Sequence, residues 1–254
     1  MSEKKCKPLV VDVCVPVLQA PSKSFEEMLR RELPVNRILY SEAKPLGTAR
    51  QQLIEAVSTD WFVFVDSDVE LLPGWFDMVW SMVDDRTGAV DGPCSWPDQP
   101  EVDAYNKVVK GLDQLLGKTR AGERPIRAFT GDTLVRTETV KDIKIPPVPV
   151  FEDEFIRMHI EAKGYLWKRT PQVVCLHHRK LNINQAWLSG YYAHYFRKMS
   201  AGLAIRSLLL IFPRVIYAAA VTGMLGIIPM QVERQLKHSL GCLSACLNHY
   251  EVEE

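Results

Sequence analysis

The sequence has no excess of charge of either sign. It carries 31 Lys and Arg against 31 Asp and Glu, so the formal net charge is zero. A general nucleic-acid binder needs a basic surplus, and we therefore expect no nucleic-acid partner. Internal repeats and low-complexity tracts are also absent. With 254 residues, 47% of them hydrophobic, the chain is long enough to bury a real core and does not have the composition of a disordered protein.

Paired cysteines are missing as well. The six cysteines stand at positions 6, 14, 94, 175, 242 and 246, and none belongs to a CxxC pair. This scatter predicts neither a disulfide framework nor a pair of metal-ligating thiols, and it favours a reducing compartment. The apolar run at residues 9–18 is short and contains Asp12, so we expect no cleaved signal peptide. The protein is therefore expected in the cytoplasm.

Apolar runs typical of strands alternate with amphipathic runs typical of helices up to about residue 180. This alternation predicts an α/β domain over residues 1–180, with a mostly parallel sheet flanked by helices. The predicted strands are 9–17, 37–40, 61–65, 88–90, 127–136 and 173–177. The predicted helices are 24–33 with Ser24 as N-cap, 47–57, 75–83 and 151–163.

Two carboxylates follow the strongest predicted strand, WFVFV at residues 61–65. Asp66 and Asp68 stand where this strand meets its loop, at the sheet edge where open α/β folds bind ligands. Hard oxygen donors at this spacing suit Mg²⁺ or Mn²⁺, which would hold a substrate diphosphate. The surroundings are acidic, since residues 60–103 contain eleven acidic residues and one basic residue. The alternative is a plain polar turn, in which Asp and Ser are favoured.

Five segments together resemble family 2 glycosyltransferases of the GT-A fold. Residues 47–77, GTARQQLIEAVSTDWFVFVDSDVELLPGWFD, are similar to the family's central block, in which a helix with an Arg precedes an apolar strand, a DxD motif and a Pro-Gly turn. The other segments are VPVLQAP at 15–21, GDTLVRTETV at 131–140, FEDEFIRMHIEAKGY at 151–165 and VVCLHH at 173–178. The resemblance covers about residues 8–180. It implies a metal-dependent, inverting enzyme that takes a sugar from a nucleotide-diphosphate donor, with Mg²⁺ or Mn²⁺ as cofactor.

The resemblance assigns a metal site. Asp66 and Asp68 match the DxD pair, so Asp68 is expected to ligate the metal and Asp66 to contact the ribose or a metal-bound water. His177 or His178 matches the family's metal-proximal His. Successive strand side chains point to opposite faces, so only one of the two can face the site, and the sequence leaves the choice open. A structural His at a strand end is the alternative.

The resemblance also implies a catalytic base and a nucleotide end. Asp153 matches the family's base, which takes the proton of the acceptor hydroxyl, and its neighbour Glu152 is expected to contact substrate. An acid stabilised at a helix N-terminus is the competing interpretation. Pro16 lies in the first nucleotide-contacting loop, Glu42 stands where the family places an acid against the base, and Arg50 could reach the diphosphate. An exposed loop and a solvated helix face are the alternatives for Glu42 and Arg50.

The sequence lacks two motifs that are common in the family, and two of its segments are expected to shape the backbone near the site. The family's common Asn-Glu in the first loop is replaced by Gln19-Ala20, and its Asp-Gly-Ser after the second strand is missing, so no nucleotide base is assigned. Gly47 is expected only to relieve backbone crowding. The segment IPPVPV at residues 145–150 is expected to stiffen the approach to Asp153.

Residues 181–254 differ in kind and are predicted to form a helical, membrane-associated tail. Between residues 177 and 232 there are six Lys and Arg and no Asp or Glu, with aromatic residues in the run GYYAHYFRK. Such composition favours lipid headgroups. The final apolar run, 215–229, is shorter than the ~20 residues of a spanning helix. We therefore expect helices in one leaflet or a shallow hairpin broken at Pro213, peripheral on the cytoplasmic face. A soluble helical layer or a homo-oligomer interface is the alternative.

The function expected from these observations is sugar transfer to a lipid-linked or glycan acceptor at or near the membrane. A haloacid dehalogenase phosphatase also places DxD after an apolar strand. In that class the strand comes first in the domain, whereas in this chain two predicted strands precede the strand at residues 61–65. A nucleotidyltransferase remains an alternative, although the chain has no Gly-rich first loop with Lys or Arg. From another class, a catalytically silent membrane adaptor with a GT-A-like fold also fits.

Overall fold

The computed structural model describes residues 10–17, 21–115, 128–178, 183, 185–195 and 200–247, with the backbone alone over 109–115. The chain divides into two compact units. The sheet unit comprises Met1–Pro97 and Pro125–Arg179, and the tail unit comprises Asp98–Arg124 and Lys180–Glu254. The predicted domains, 1–180 and 181–254, would leave residues 98–124 with the sheet, whereas the structure groups this stretch with the tail helices.

The sheet unit alternates strands and helices along the chain. Its strands are β1 (Val11–Pro16), β2 (Val35–Ser41), β3 (Trp61–Val65), β4 (Val69–Leu71), β5 (Thr87–Asp91), β6 (Cys94–Ser95), β7 (Asp132–Arg136), β8 (Leu166–Arg169) and β9 (Cys175–His177). Its helices are α1 (Lys23–Glu32), α2 (Leu46–Ala56), α3 (Trp75–Trp80) and α5 (Glu152–Ala162), with a 3-10 turn at Thr137–Thr139. The tail unit contains α4 (Pro100–Leu115), α6 (Gln185–Tyr195), α7 (Ala201–Thr222) and α8 (Ile227–Leu247).

The main sheet has six strands in the order β2-β1-β3-β7-β5-β8. Strand β1 is parallel to β2 and β3, and β5 is parallel to β8. Strand β7 is antiparallel to both of its neighbours, β3 and β5. The prediction of a mostly parallel sheet flanked by helices is therefore confirmed, with β7 as the exception. Because β7 is reversed, its first residue lies at the edge where β3 and β5 end.

Strand β3 lies between two hydrophobic cores, one on each face of the sheet. Val63 and Val65 pack into the core that includes α1 and α3, while Phe62 and Phe64 pack into the core that includes α2 and α5. All four side chains are fully buried. A strand covered on both faces needs an apolar side chain at every position, which explains the uninterrupted run.

The predicted elements occur near their expected positions, and four more were not predicted. The additional elements are β4, β6, β8 and α4. The sequence predicted Ser24 as the N-cap of α1, but the N-cap is Ser22. Ser22 Oγ accepts a hydrogen bond from the backbone N–H of Phe25 (3.2 Å), while Ser24 Oγ lies 2.9 Å from Ser22 Oγ. Ser22 therefore satisfies a helical N–H group that would otherwise lack a partner.

A second sheet consists of three short strands in the order β4-β9-β6, with β9 in the centre. Strand β9 is antiparallel to β4, with Val69 opposite His177, and parallel to β6, with Cys94 opposite Cys175. Cys94 and Cys175 form a disulfide. The expectation that the scattered cysteines would not pair is wrong for these two, because a separation of 81 residues in sequence does not limit their approach in the fold.

The tail unit is a packed set of helices in which α6 and α7 each contact α8, and α4 contacts α7. Helix α7 buries one stripe, formed by Ala204, Ile211, Val215, Ala218 and Ala219. Of the two expected arrangements, the hairpin broken at Pro213 is wrong, because α7 continues through this exposed proline and ends at Gly223, a left-handed C-cap. Within the described part of the chain, α7 alone is long and apolar enough to cross a membrane.

Breaking the Cys94–Cys175 disulfide is expected to destabilise the protein. The bond closes a loop of 81 residues, and losing this closure should lower the free energy of unfolding by about 4 kcal/mol. Urea denaturation of a Cys94→Ser/Cys175→Ser double variant measures the effect. Dithiothreitol should reproduce it in the wild-type protein and add nothing in the double variant. Equal stability of the oxidised wild type and the double variant would contradict the prediction.

Candidate functional site

The two aspartates of the DxD motif lie in a tight turn directly after β3. The backbone N–H of Asp66 donates to the carbonyl of Gly131 (3.0 Å), and the N–H of Val69 donates to the carbonyl of Asp66 (3.0 Å). The side chains of Asp66 and Asp68 are 26% and 31% exposed, respectively. The turn therefore anchors both carboxylates at the end of the buried strand while leaving them accessible.

Asp66 is held by a buried arginine. Arg50 Nη2 lies 2.6 Å from Asp66 Oδ1, and the Arg50 side chain is 1% exposed. Its guanidinium lies 4.6 Å from the centre of the Phe64 ring, and its Nε lies 3.9 Å from Glu152 Oε1. The structure thus pairs Arg50 with protein carboxylates, and the predicted contact of Arg50 with a diphosphate stays a prediction.

Asp68 lies beside His177. Strands β4 and β9 bring them together, and His177 Nε2 is 3.3 Å from Asp68 Oδ1. The His177 ring is buried, with its centre 4.4 Å from that of Trp96 and 5.8 Å from that of Phe129. Neither ring nitrogen has a hydrogen-bond partner among the described residues. A buried imidazole in this state is unusual, because the loss of hydration is not compensated.

His178 points elsewhere, so the structure distinguishes the two histidines that the sequence could not. Its Nε2 lies 2.9 Å from Glu70 Oε2, and its ring is substantially exposed. Its backbone N–H donates to the carbonyl of Asp68 (2.8 Å). Of the two histidines, His177 is therefore the one placed at the carboxylate of Asp68, while the main chain of His178 helps to fix the position of Asp68.

The first turn of α5 carries two carboxyls in different surroundings. Glu152 is buried, and this burial, followed by the charge of the adjacent Asp153, raises the pKa of Glu152 to about 8. Asp153 is half-buried, and its Oδ1 accepts a hydrogen bond from the backbone N–H of Glu154 (2.7 Å). Phe151, the residue directly before α5, has a φ of 73°. This left-handed conformation costs a non-glycine residue about 1–3 kcal/mol. The helix therefore starts at a strained residue beside the proposed base.

The proline-rich segment before α5 packs directly on α2. The N–H of Gly47 donates to the carbonyl of Val148 (2.9 Å), and the N–H of Ile145 donates to Gln51 Oε1 (2.9 Å). A Cβ atom on Gly47 would lie only 2.3 Å from the carbonyl oxygen of Pro146. The expectation that Gly47 relieves backbone crowding is confirmed. This contact sets α2, which carries Arg50, next to the start of α5.

The predicted nucleotide end lies at the same edge of the sheet. Pro16 is the last residue of β1 and stands opposite Ser41, the last residue of β2, so the exposed Glu42 follows immediately. Gln19 and Ala20 lie outside the described residues. Pro16 and Glu42 thus adjoin the edge that carries Asp66, and their proposed contacts with a nucleotide stay predictions.

A buried acidic cluster at this edge was missed by sequence reasoning. Asp91 ends β5, Asp132 begins β7, and both side chains are fully buried. Asp91 Oδ1 accepts from Arg169 Nε (2.6 Å), and Asp132 Oδ2 accepts from Trp75 Nε1 (3.2 Å). Burial, with the nearby charge of Asp91 as the second cause, raises the pKa of Asp132 well above its usual range. The sequence signal was available only for Asp91, which directly follows the predicted strand 88–90, because Asp132 lies inside the predicted strand 127–136.

Arg169 connects this cluster electrostatically with the proposed base. Burial disfavours its charge, but hydrogen bonds and charge attraction from Asp91, together with the charges of Asp132 and Asp153, raise its pKa. The positive charge of Arg169 therefore acts on Asp153 as well as on the two buried aspartates.

Comparison with known proteins agrees with this geometry. Residues 19–132 match the sequence profile described as glycosyl transferase family 2. No curated protein matches the sequence. The structure is similar to mannosyltransferase PcManGT from Pyrobaculum calidifontis in complex with GDP-Man and Mn²⁺, with a TM-score of 0.59, 14% identity, and coverage of 98% of this chain and 90% of that chain.

A second solved structure gives a weaker match of the same kind. Glucosyl-3-phosphoglycerate synthase from Mycobacterium tuberculosis, in complex with Mg²⁺ and UDP, has a TM-score of 0.50 and 12% identity, with coverage of 76% of this chain and 79% of that chain. At these identities the likeness concerns the fold, while the sequence profile carries the family. Residues 19–132 therefore resemble glycosyl transferase family 2, and the chain has a GT-A-like fold.

Proposed function

We propose that the protein is a metal-dependent, inverting hexosyltransferase that moves a sugar from a nucleotide-diphosphate donor to an acceptor at the membrane surface. The observation that carries the proposal is the pair formed by Asp68 and His177. The carboxylate of Asp68 lies 3.3 Å from the buried imidazole of His177, whose ring nitrogens make no hydrogen bond within the described part of the chain, and Asp68 falls inside the stretch that matches glycosyl transferase family 2.

The Asp68 and His177 pair fits Mg²⁺ or Mn²⁺. Adjacent ligands of an octahedral ion with bonds of about 2.1 Å lie about 3.0 Å apart, close to the distance between Asp68 Oδ1 and His177 Nε2. Two protein ligands leave positions for the substrate diphosphate and water, as Mg²⁺ prefers. The bound ion would neutralise charge on the leaving diphosphate. Two solved structures of similar fold contain Mn²⁺ with GDP-Man and Mg²⁺ with UDP, respectively.

Asp66 has a different part in the proposed site. Its contact with Arg50 fixes one carboxylate oxygen, so the side chain keeps one orientation at the end of β3. We assign the other oxygen to the ribose or to a water bound to the metal. Pro16 and Glu42, at the ends of β1 and β2, would line the nucleoside side of the donor. Arg50 acts through Asp66 and is a positioning residue in this scheme.

Asp153 is the proposed base. Its carboxylate takes the proton of an acceptor hydroxyl while the acceptor oxygen bonds to the anomeric carbon and the bond from that carbon to the diphosphate oxygen breaks. Glu152, with its raised pKa, stays protonated at neutral pH and adds no second negative charge beside Asp153. The charge of Asp153 contributes to the raised pKa of Arg169, so these two side chains interact electrostatically.

The tail unit supports an acceptor at a membrane. Ile205, Leu209, Phe212 and Ile216 form one stripe on α7, and each is at least half exposed. This stripe lies apart from the residues that α7 buries in its own unit. Arg206 and Arg214 on the same helix, with no acid between residues 177 and 232, suit an anionic lipid surface. We infer a peripheral position on the cytoplasmic face and a lipid-linked or glycan acceptor.

Replacing Asp68 by Asn should abolish metal-dependent transfer. Loss of a metal ligand should remove several kcal/mol of charge stabilisation, or about 10³-fold in turnover. The nucleoside diphosphate should also lose its Mn²⁺-dependent increase in melting temperature. Glu70→Gln is the matched control, because Glu70 is an exposed acid of the adjoining strand β4 and pairs with His178. Full metal-dependent activity of Asp68→Asn would refute the proposed site.

Asp153→Asn and Glu152→Gln should have opposite consequences. Asp153→Asn removes the base and should lower kcat by about 10²–10⁴-fold. Glu152→Gln mimics the protonated carboxyl and should retain most activity. In the wild type, ionisation of Glu152 is penalised, so its contribution to stability falls as the pH rises from about 4.5 to about 8. The stability gained by Glu152→Gln should therefore be larger at pH 9 than at pH 5 in thermal melts. A pH-independent difference would contradict this assignment.

Charges introduced on the exposed stripe of α7 should release the protein from membranes. The double variant Leu209→Glu/Phe212→Glu should bind vesicles of phosphatidylcholine and phosphatidylglycerol at least about tenfold more weakly, because each buried apolar side chain contributes about 1.5–3 kcal/mol. Flotation of the vesicles measures the bound fraction. Val173→Glu, which changes an exposed apolar residue of the sheet unit, should float like the wild type. A wild-type protein that stays in the aqueous fraction would exclude the membrane location.

A further inference from the structure

Helices α6 and α8 of the tail unit approach each other more closely than ordinary side chains allow. A Cβ atom on Gly190 of α6 would lie 1.8 Å from the carbonyl oxygen of His238 on α8. A Cβ atom on Gly241 of α8 would lie 2.0 Å from the carbonyl oxygen of Trp187 on α6. Both distances are far below van der Waals contact, so glycine is required at both positions. The two backbones therefore touch, and short side chains near the crossing can meet.

Three metal-ligating side chains meet beside this crossing. His194 lies one helical turn after Gly190, and Cys242 and Cys246 lie one turn apart on α8, directly after Gly241. Cys246 Sγ is 3.3 Å from His194 Nδ1. One donor atom from each of the three residues lies within 4.8 Å of the other two. Cys242 is buried, while His194 and Cys246 are half-buried, which leaves a path for an ion.

We infer that His194, Cys242 and Cys246 form a binding site for a thiophilic divalent cation, with Zn²⁺ as the best fit. Tetrahedral Zn²⁺ with bonds of about 2.3 Å to sulfur and 2.0 Å to nitrogen places two sulfurs about 3.8 Å apart, and sulfur and nitrogen about 3.5 Å apart. The observed contact of 3.3 Å and the upper limit of 4.8 Å lie within about 1 Å of these values. Rotation of the side chains can supply that adjustment.

The chemistry of the donors separates this site from the acidic sheet edge. Two sulfurs and an imidazole are soft or borderline ligands that favour Zn²⁺, whereas the carboxylate of Asp68 suits Mg²⁺ and Mn²⁺. The proposed site provides three protein ligands and leaves a fourth position for water or another ligand. A bound ion would also join α6 to α8 through their side chains, in addition to the contact between their backbones.

Cobalt spectroscopy of the full-length protein tests the inference directly. Co²⁺ replaces Zn²⁺ in tetrahedral thiolate sites and gives a sulfur-to-cobalt charge-transfer band together with visible ligand-field bands. We expect these bands to saturate at about one Co²⁺ per chain and to disappear when one equivalent of Zn²⁺ is added. The wild-type protein without such bands would overturn the inference, whatever its glycosyltransferase activity.

Variants assign the signal to the three residues. Cys242→Ser and Cys246→Ser should each remove most of the charge-transfer band, while His194→Gln should weaken Co²⁺ binding and shift the visible bands. Cys14→Ser, which changes a buried thiol of the sheet unit, is the matched control and should keep the full signal. The Cys94→Ser/Cys175→Ser variant should also keep it and is a second control, because those cysteines and Asp132 form another group of donors within 4.8 Å among the described residues. Bands that persist in both tail variants and vanish in this one would overturn the assignment.

Alkylation of the wild-type protein tests the site without any substitution, so the test does not depend on whether the variants fold. Cys246 is half-buried, so iodoacetamide should alkylate it slowly in the reduced protein. Zn²⁺ should slow this alkylation at least about tenfold, as followed by mass spectrometry, because a metal-bound thiolate is less available to the reagent. Mg²⁺ serves as the control ion and should leave the rate unchanged. Equal rates with and without Zn²⁺ would contradict the proposed site.

Discussion

The arrangement of the sheet edge depends on the burial of one guanidinium. Arg50 is almost completely removed from solvent, and a cation in that position is tolerated only when carboxylates compensate for its lost hydration. Asp66 supplies the charged contact, the protonated carboxyl of Glu152 lies farther away, and the ring of Phe64 covers the planar face. The helix that carries Arg50 and the loop after β3 must therefore assemble together. Displacing either of them would leave a charge buried without its partner.

Sequence reasoning was most successful where one segment contains the whole signal. The run WFVFV followed by two aspartates is sufficient to predict both β3 and the acidic turn, because an all-apolar strand must be covered on both faces. The environment of Arg50 could not be predicted in the same way. One of its contacts is Glu152, which lies about a hundred residues further along the chain. The pattern of α2 alone is compatible with a solvated arginine.

The residues that sequence reasoning missed depend on the order of the strands. Asp91 and Asp132 come together because β7 is inserted in reverse beside β5, and no local pattern specifies that neighbour. The choice between His177 and His178 required β4, a strand of three residues that is too short to give a periodic signal. The pairing of Cys94 with Cys175 follows from the same small sheet. In each case a pairing between distant segments supplied the information.

Pro213 has a consequence for the depth at which α7 can lie in a lipid layer. Proline has no N–H group, so the carbonyl of Leu209 loses the donor that the next helical turn would provide. This carbonyl lies near the middle of the 22-residue helix. At the centre of a bilayer it would face hydrocarbon, where an unsatisfied carbonyl costs several kcal/mol. In the headgroup layer, water can donate to it. For the proposed membrane contact, the proline therefore favours an orientation of α7 parallel to the membrane plane, at the level to which water penetrates.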